Sequence, residues 1–178
     1  MELFEAITKR HCYRGQFRDE PVKREDLTKI VQAGLDAPSG CNRQTTTFVV
    51  VDEPKLVSEI AKMHPANKGM FTAKAFIACI INRVHKPVYE GTMSFEVEDC
   101  STAVQNMLLA ITALGYAGGW IDGWLRVGEH NETIGNMLGV PQDKIVRVII
   151  PIGIPAEDVK PPLKMPFDER AWFNKYKL

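Results

Sequence analysis

The sequence predicts one globular domain that mixes α-helices with β-strands, and three observations predict it. Apolar residues recur at helical spacing in some segments and gather into compact β-branched runs in others. The 178 residues are 45% hydrophobic and 25% charged, the balance of a soluble folded chain rather than a disordered or fibrous one. After Gly153 the pattern gives way to a segment holding Pro155, Pro161, Pro162 and Pro166, which cannot be core.

The elements follow in order. Met1 to Lys9 carries Leu3, Phe4 and Ile7 at helical spacing and leads into a polar loop, Arg10 to Gln16. Pro21 opens a second helix whose stripe is Leu27, Ile30, Val31 and Leu35, ending near Ala37-Pro38-Ser39-Gly40. A polar loop, Ser39 to Gln44, delivers the chain to a buried strand, Phe48 to Val51. Asp52 and Pro54 start a helix over Lys55 to Met63, and Ala75 to Ile81 is the next strand.

Asp99 is placed to cap a helix from Cys100 to Leu114, with Ala103, Met107, Ala110, Ile111 and Leu114 as a wide apolar surface and Gly115 as its stop. Gly118-Gly119-Trp120-Ile121 reads as a turn into a strand, Glu132 to Leu138 as a short helix closed by Gly139, and Ile145 to Ile152 as a last buried strand. The expected order is α, α, β, α, β, α, β, α, β. Ile154 to Pro166 is then an extended arm, and Trp172, Phe173 and Tyr176 must bury on their own domain or on a second subunit.

Lys+Arg and Asp+Glu both total 22, so the chain lacks the excess positive charge that holds a nucleic-acid backbone. Met1 to Arg18 mixes charges throughout and no apolar run is long enough to span a bilayer, which points to a cytosolic protein. Cys12, Cys41, Cys79 and Cys100 are scattered without zinc-ligand spacing, so free thiols are expected and no metal. G-x-G-x-x-G, P-loop and G-x-S-x-G motifs are absent from the sequence.

Three segments could carry chemistry. In Lys9-Arg10-His11-Cys12-Tyr13-Arg14 two guanidinium forks, suited to phosphate and carbonyl oxygens, follow an amphipathic helix. In Pro38-Ser39-Gly40-Cys41-Asn42-Arg43-Gln44 the amides of Asn42 and Gln44 match a heterocycle with alternating N–H and C=O edges. In Gly118-Gly119-Trp120-Ile121-Asp122-Gly123-Trp124 the glycines permit close backbone approach and the indoles supply flat surface. Each segment alone is more often a solvated surface or an ordinary turn.

Together, in this order, the segments resemble the nitroreductase family across nearly the whole chain. The resemblance starts at Arg10 to Arg14, with Cys12 where a hydroxyl is frequent, and continues through a Pro-Ser-x-x-Asn-x-Gln loop in which Thr45 replaces a following Pro. It runs on through Gln105-Asn106 and Leu114-Gly115 of the long helix to Trp120-Ile121-Asp122-Gly123. It closes on Lys164-Met165-Pro166, with Lys164 where an arginine is frequent.

The resemblance implies an α+β fold of three α/β/α layers over residues 1–178, with a mixed, mostly antiparallel sheet flanked by helices. It implies that residues 154–178 form an extended arm packing on a partner subunit. It implies FMN as cofactor, with no catalytic side chain. Arg10 and Lys164 would hold the phosphate, His11 and Cys12 would lie along the ribityl chain and phosphate, and Arg14 would face the pyrimidine edge. A cation there stabilises the anionic reduced ring. Pro38, Ser39, Gly40 and Asn42 of the other subunit would line the isoalloxazine. Backbone around Ile121, Asp122 and Gly123 would address N5, and Asn67 or Lys68 would also reach the ring.

The implied reaction takes hydride from NAD(P)H onto flavin N5. A ping-pong mechanism then passes it to an oxidised acceptor such as a nitroaromatic, quinone, enone or flavin, in a cytoplasmic homodimer. Two other functions would use the same residues: a flavin-binding or redox-sensor protein, and a thiol enzyme at Cys12 beside His11. Residues 82–98 are expected to be a variable cover of the slot.

Overall fold

The computed structural model describes residues 1–176. Seven helices and four strands run in the order α1 (Leu3–Lys9), α2 (Arg24–Leu35), β1 (Thr47–Val51), α3 (Pro54–Lys62), α4 (Lys68–Phe71), β2 (Ala75–Asn82), α5 (Glu96–Ala113), β3 (Ala117–Gly118), α6 (His130–Met137), β4 (Lys144–Gly153) and α7 (Phe167–Arg170). Gly40–Asn42 and Gly123–Arg126 add two 3-10 turns.

The unbroken apolar run of β2 and the run of β4, interrupted only at Arg147, become the central strands because their residues must be covered on both faces. The sheet order is β1-β2-β4-β3, and every pair among these strands is antiparallel. The mostly antiparallel sheet expected from the resemblance is thus wholly antiparallel among the described residues. Alternate residues of β2 feed two cores: Phe76, Ala78 and Ile80 pack with α3, α4 and α6, while Ala75, Ile77, Cys79 and Ile81 pack with α2 and α5. The result is the three-layer α/β/α arrangement. Met107, Leu108 and Ile111 of α5 are all but fully buried, each worth about 1.5–3 kcal/mol relative to exposure.

A bulge in the central pair matters for the site. Cys79 opposes Val148 but Ile80 opposes Val146, so Arg147 is the extra residue on β4. Val146 and Val148 consequently fall in opposite cores. The Arg147 guanidinium pairs with Asp122.

Several boundaries differ from the sequence expectation. α2 begins at Arg24, three residues after Pro21, and Leu35, expected on its buried stripe, is exposed. α5 starts at Glu96 with Phe95 as its N-cap residue, so Asp99 lies inside the first turn, and its carboxylate reaches the 38–44 loop instead. Glu96, Glu98 and Asp99 all stand where the helix dipole favours negative charge. The third strand is Ala117–Gly118, before the glycine turn, and Ile121 contributes only an isolated bridge to Ile149. α4, a single turn, escaped periodicity because it is shorter than the period needs to show itself.

α1 forms as expected, yet its stripe of Leu3, Phe4 and Ile7 is exposed and only Ala6 is buried. The arm runs extended to α7, and its rings pair with each other: Phe167 with Phe173, Trp172 with Tyr176. Leu163, Met165, Phe167, Phe173 and Tyr176 stay exposed. The last two residues of the arm lie outside the described residues.

Candidate functional site

The basic loop owes its shape to an alternation of burial. Tyr13, Gly15 and Phe17 turn inward while Cys12, Arg14 and Gln16 turn outward, the period of an extended chain. Tyr13 N–H donates to Gly118 O at 2.9 Å, Arg18 N–H to Ile154 O at 2.8 Å, and Ala156 N–H to Gln16 O at 2.9 Å. The buried Tyr13 hydroxyl donates to Gln16 O at 2.7 Å and accepts from Glu157 N–H at 3.2 Å. Satisfied on its inner side, the loop is a fixed strap across the end of β4 that presents Cys12 and Arg14 outward.

Those side chains meet two other segments. Trp120 N–H donates to Cys12 Sγ at 3.5 Å. Gly69 of α4 lies against Tyr13, where an added β-carbon would stand 3.0 Å from Tyr13 O. Strap, α4 and the Gly119–Ile121 turn enclose a cavity of about 480 Å³, lined by Cys12, Arg14, His64, Asn67, Lys68 and Trp120 among others. That volume lies in the range of small-molecule and cofactor sites.

Several polar groups of the strap, α4 and the arm are uncommitted. Among the described residues, neither Arg10, Arg14, Lys68 nor Lys164 has a carboxylate within 4.0 Å, whereas Arg24, Arg83, Arg126 and Arg147 are all ion-paired. His11 Nδ1 lies 2.9 Å from Lys9 O, and His11 Nε2 is buried without a partner. With Nδ1 donating, Nε2 is an acceptor in want of a donor. A free guanidinium on the cavity wall and another at the end of α1, an acceptor for a polyol hydroxyl and a cavity of cofactor size fit a flavin mononucleotide.

The other expected residues are placed as follows. Arg10 ends α1, half-buried, and stands outside the cavity lining. Asn67 lines the cavity, but its Oδ1 already accepts from Met70 N–H at 3.1 Å as the N-cap of α4. Ile121 lines the cavity as well. The carboxylate of Asp122 is held by Arg147 and, at 3.0 Å, by Arg126, which leaves its backbone for a ligand. Gly123 opens the second 3-10 turn in free space. Lys164 is exposed on the arm and does not line the cavity.

Pro38, Ser39, Gly40 and Asn42 form a separate half. Pro38 and Ser39 line a second cavity of about 220 Å³ that shares no lining residue with the first. The loop holds three non-glycine residues in left-handed backbone, Cys41, Asn42 and Gln44, with φ of 51°, 52° and 50°, each costing on the order of 1 kcal/mol. Side chains offset that strain. Asp99 Oδ1 accepts from Gly40 N–H at 2.8 Å and Oδ2 from Thr45 Oγ1 at 3.2 Å. Ser39 Oγ accepts from Gln44 N–H at 3.0 Å, and Thr102 Oγ1 donates to Pro38 O at 3.1 Å. Gly40 packs on Phe95 so closely that a β-carbon would overlap the ring. The Asn42 side chain stays exposed.

Two residues with a part in the site escaped sequence reasoning. Asp99, read as a cap, holds the loop, and nothing in its spacing announces a partner 59 residues away. His64 lines the cavity, where burial first and the charge of His130 second hold its pKa below the usual 6.5. The signal available was a histidine and a proline breaking the helix three residues before Asn67.

The sequence profile of the Nitroreductase family matches residues 7–76 and 59–154. A provisionally named NADH dehydrogenase/NAD(P)H nitroreductase of Methanothermobacter thermautotrophicus is 31% identical over 159 residues, 89% of this chain and 80% of that one. The FMN reductase (NAD(P)H) of Bacillus subtilis is 25% identical over 84% of this chain and 60% of its own length. Among solved structures, an FMN-dependent nitroreductase of Clostridium difficile superposes with a TM-score of 0.80 at 25% identity, covering 97% of this chain and 99% of that one.

Proposed function

The chain belongs to the nitroreductase family, and from that premise we propose that it is an FMN-dependent oxidoreductase moving hydride from NAD(P)H to an oxidised acceptor. The observation that carries the reading is the cavity at the strap, with its unpaired cations and the orphaned acceptor of His11. Relatives named FMN reductase and FMN-dependent nitroreductase support it. Bound FMN would supply the hydride exchange, a ping-pong reaction in which donor and acceptor use one slot in turn.

The residues of this chain do the rest. Arg10 binds the phosphate, with Lys164 as a second point charge. His11 Nε2 accepts from a ribityl hydroxyl, and Cys12 lies along the same chain. Arg14 holds positive charge at the pyrimidine edge, where reduction places negative charge. Asn67, fixed as a helix cap, and the backbone of Ile121, Asp122 and Gly123 line the ring edge. No side-chain nucleophile is required, which sets the thiol reading at Cys12 aside.

The site is completed by a second copy of the chain. Pro38 and Ser39 line a different cavity of the same protomer and neither Gly40 nor Asn42 lines the first, so this loop would reach the flavin from a partner. The exposed apolar face of α1 and the exposed arm rings supply the surface such a homodimer would bury. Residues 1–178 act as one FMN-binding domain with its arm, and residues 82–98 as the cover of the slot. No helix among the described residues is long and apolar enough to cross a membrane, in keeping with the cytoplasmic setting proposed.

The test is spectral. Purified protein should be yellow, or turn yellow with FMN, and should bleach under anaerobic NADH or NADPH. Protein that refuses FMN defeats the proposal, and bound FMN left oxidised by both nucleotides favours a sensor. Sedimentation should give a dimer, and a monomer that binds FMN tightly would remove the shared site.

A further inference from the structure

Three aromatic rings stack beside the cavity, and nothing in the proposed reaction uses them. His64, on the cavity lining, lies nearly parallel to Trp124, with centroids 4.7 Å and planes 7° apart. His130 stacks on the same indole at 4.1 Å and 21°, and its Nδ1 lies 3.0 Å from Trp124 O. The stack joins the chain leaving α3, the 3-10 turn Gly123–Arg126 and the first residue of α6. With one face against Trp124, the His64 imidazole has only its other face and its edge left for the cavity.

The surroundings of His64 carry one sign of charge. Arg14 comes from the strap, Lys68 from α4 and His130 from α6. Cys12 and Tyr13 are the remaining titratable groups on the cavity wall, the Tyr13 hydroxyl being bonded to Gln16 O and Glu157 N–H, and Asp122 and Arg126 are paired with each other. No carboxylate lines the cavity among the described residues.

We infer that His64 selects the acceptor: as a flat neutral ring it seats planar uncharged molecules, and once protonated it adds a third cation to Arg14 and Lys68 and favours planar anions. The inference rests on the proposal that this cavity is the flavin and acceptor site. Stacking fixes the imidazole so that selection needs no rearrangement, and a protonated ring keeps its seat because an indole face attracts a cation. Burial and His130 both oppose protonation, so the change from neutral to anion selection comes on the acid side of the ordinary histidine range.

The experiment compares two planar probes of like size, 4-nitrobenzoate and 4-nitrobenzyl alcohol. Their dissociation constants are measured on oxidised holoprotein without NAD(P)H, at about pH 8 and about pH 5.5, on either side of the ordinary imidazole range. In the wild type, acidification should raise the preference for the benzoate by about threefold or more, because an anion bound beside the imidazole favours its protonated form.

His64→Phe should keep the affinity for the alcohol and lose the pH-dependent preference, whereas His64→Ala should weaken both probes. A rise that persists in His64→Phe, or none in the wild type, overturns the inference, as does His64→Ala binding both probes like the wild type. Should His64→Ala fail to fold, His64→Phe decides alone. FMN uptake is recorded first from the visible spectrum. A wild type that takes none fails the parent proposal, and the same probe comparison on that colourless protein still decides the role of His64.

Discussion

The two halves of the candidate site are built on opposite terms. The 38–44 loop is strained but saturated: Asp99, Ser39 and Thr102 satisfy its backbone and hydroxyl groups, and Phe95 packs under Gly40. The strap half is unstrained and satisfied only on its inner side, with Arg14 and Lys68 unpaired and His11 Nε2 orphaned. One half is finished before any ligand arrives, and the other has polar groups that only a ligand can complete. Mutations in the strap half should therefore act on cofactor affinity, and mutations under the loop should act first on stability.

The largest expected effect breaks the open half. Arg10→Ala should weaken FMN by about 1.5–3 kcal/mol, the scale of a charge-assisted hydrogen bond, with little change in melting temperature. Unchanged affinity in a flavin titration would remove Arg10 from the phosphate site. Asp99→Ala should do the reverse, costing about 1–3 kcal/mol of stability by leaving Gly40 N–H and the Thr45 hydroxyl unsatisfied, as read from a denaturant midpoint. Asp99→Asn keeps an acceptor for Gly40 and should recover most of that loss, so an equal loss in both variants would show that charge matters more than geometry.

Lys164→Ala should weaken FMN by less than about 1 kcal/mol, because a mobile ammonium on an exposed arm is a point charge without fork geometry. An effect as large as that of Arg10→Ala would mean that the partner's surface orders the arm around the phosphate. The smallest effect is on pH dependence. The lowered pKa of His64 means that the unfolded chain takes up the proton first, so its contribution to stability is complete above the ordinary 6.5 and is lost as pH falls through the lowered folded value. Asp26, Asp52 and Glu132, lowered mainly by hydrogen bonds to Lys29, Arg24 and Arg83, follow the same sign at more acid pH. Melting temperatures of wild type and His64→Phe should diverge on acidification only below about pH 6.5, and parallel curves would refute the His64 part.

The central strands were legible because two-sided burial leaves a signature in composition, the unbroken run at Phe76–Ile81 and the run at Ile145–Ile150 interrupted only by Arg147. α5 was legible in its apolar surface but not at its start, since Glu96 looks like a solvated residue yet is buried, and Asp99, which looks like a cap, bonds the 38–44 loop. α1 shows the converse: its stripe is correct as a helical pattern, yet the face it predicts as buried is open in a single copy.

Sequence by itself determined the longer helices and strands, the family and the residue types of the site, because periodicity, turn chemistry and motif order are local properties of the chain. Only the tertiary structure decided which of those residues meet. The strap reaches α4 and the Gly119 turn through backbone hydrogen bonds and close packing across long sequence separations. The 38–44 loop, equally prominent in the sequence, is turned to a different cavity, held there by a carboxylate 59 residues away. Long-range contacts of this kind depend on how two faces of a sheet are filled, and no local pattern encodes that.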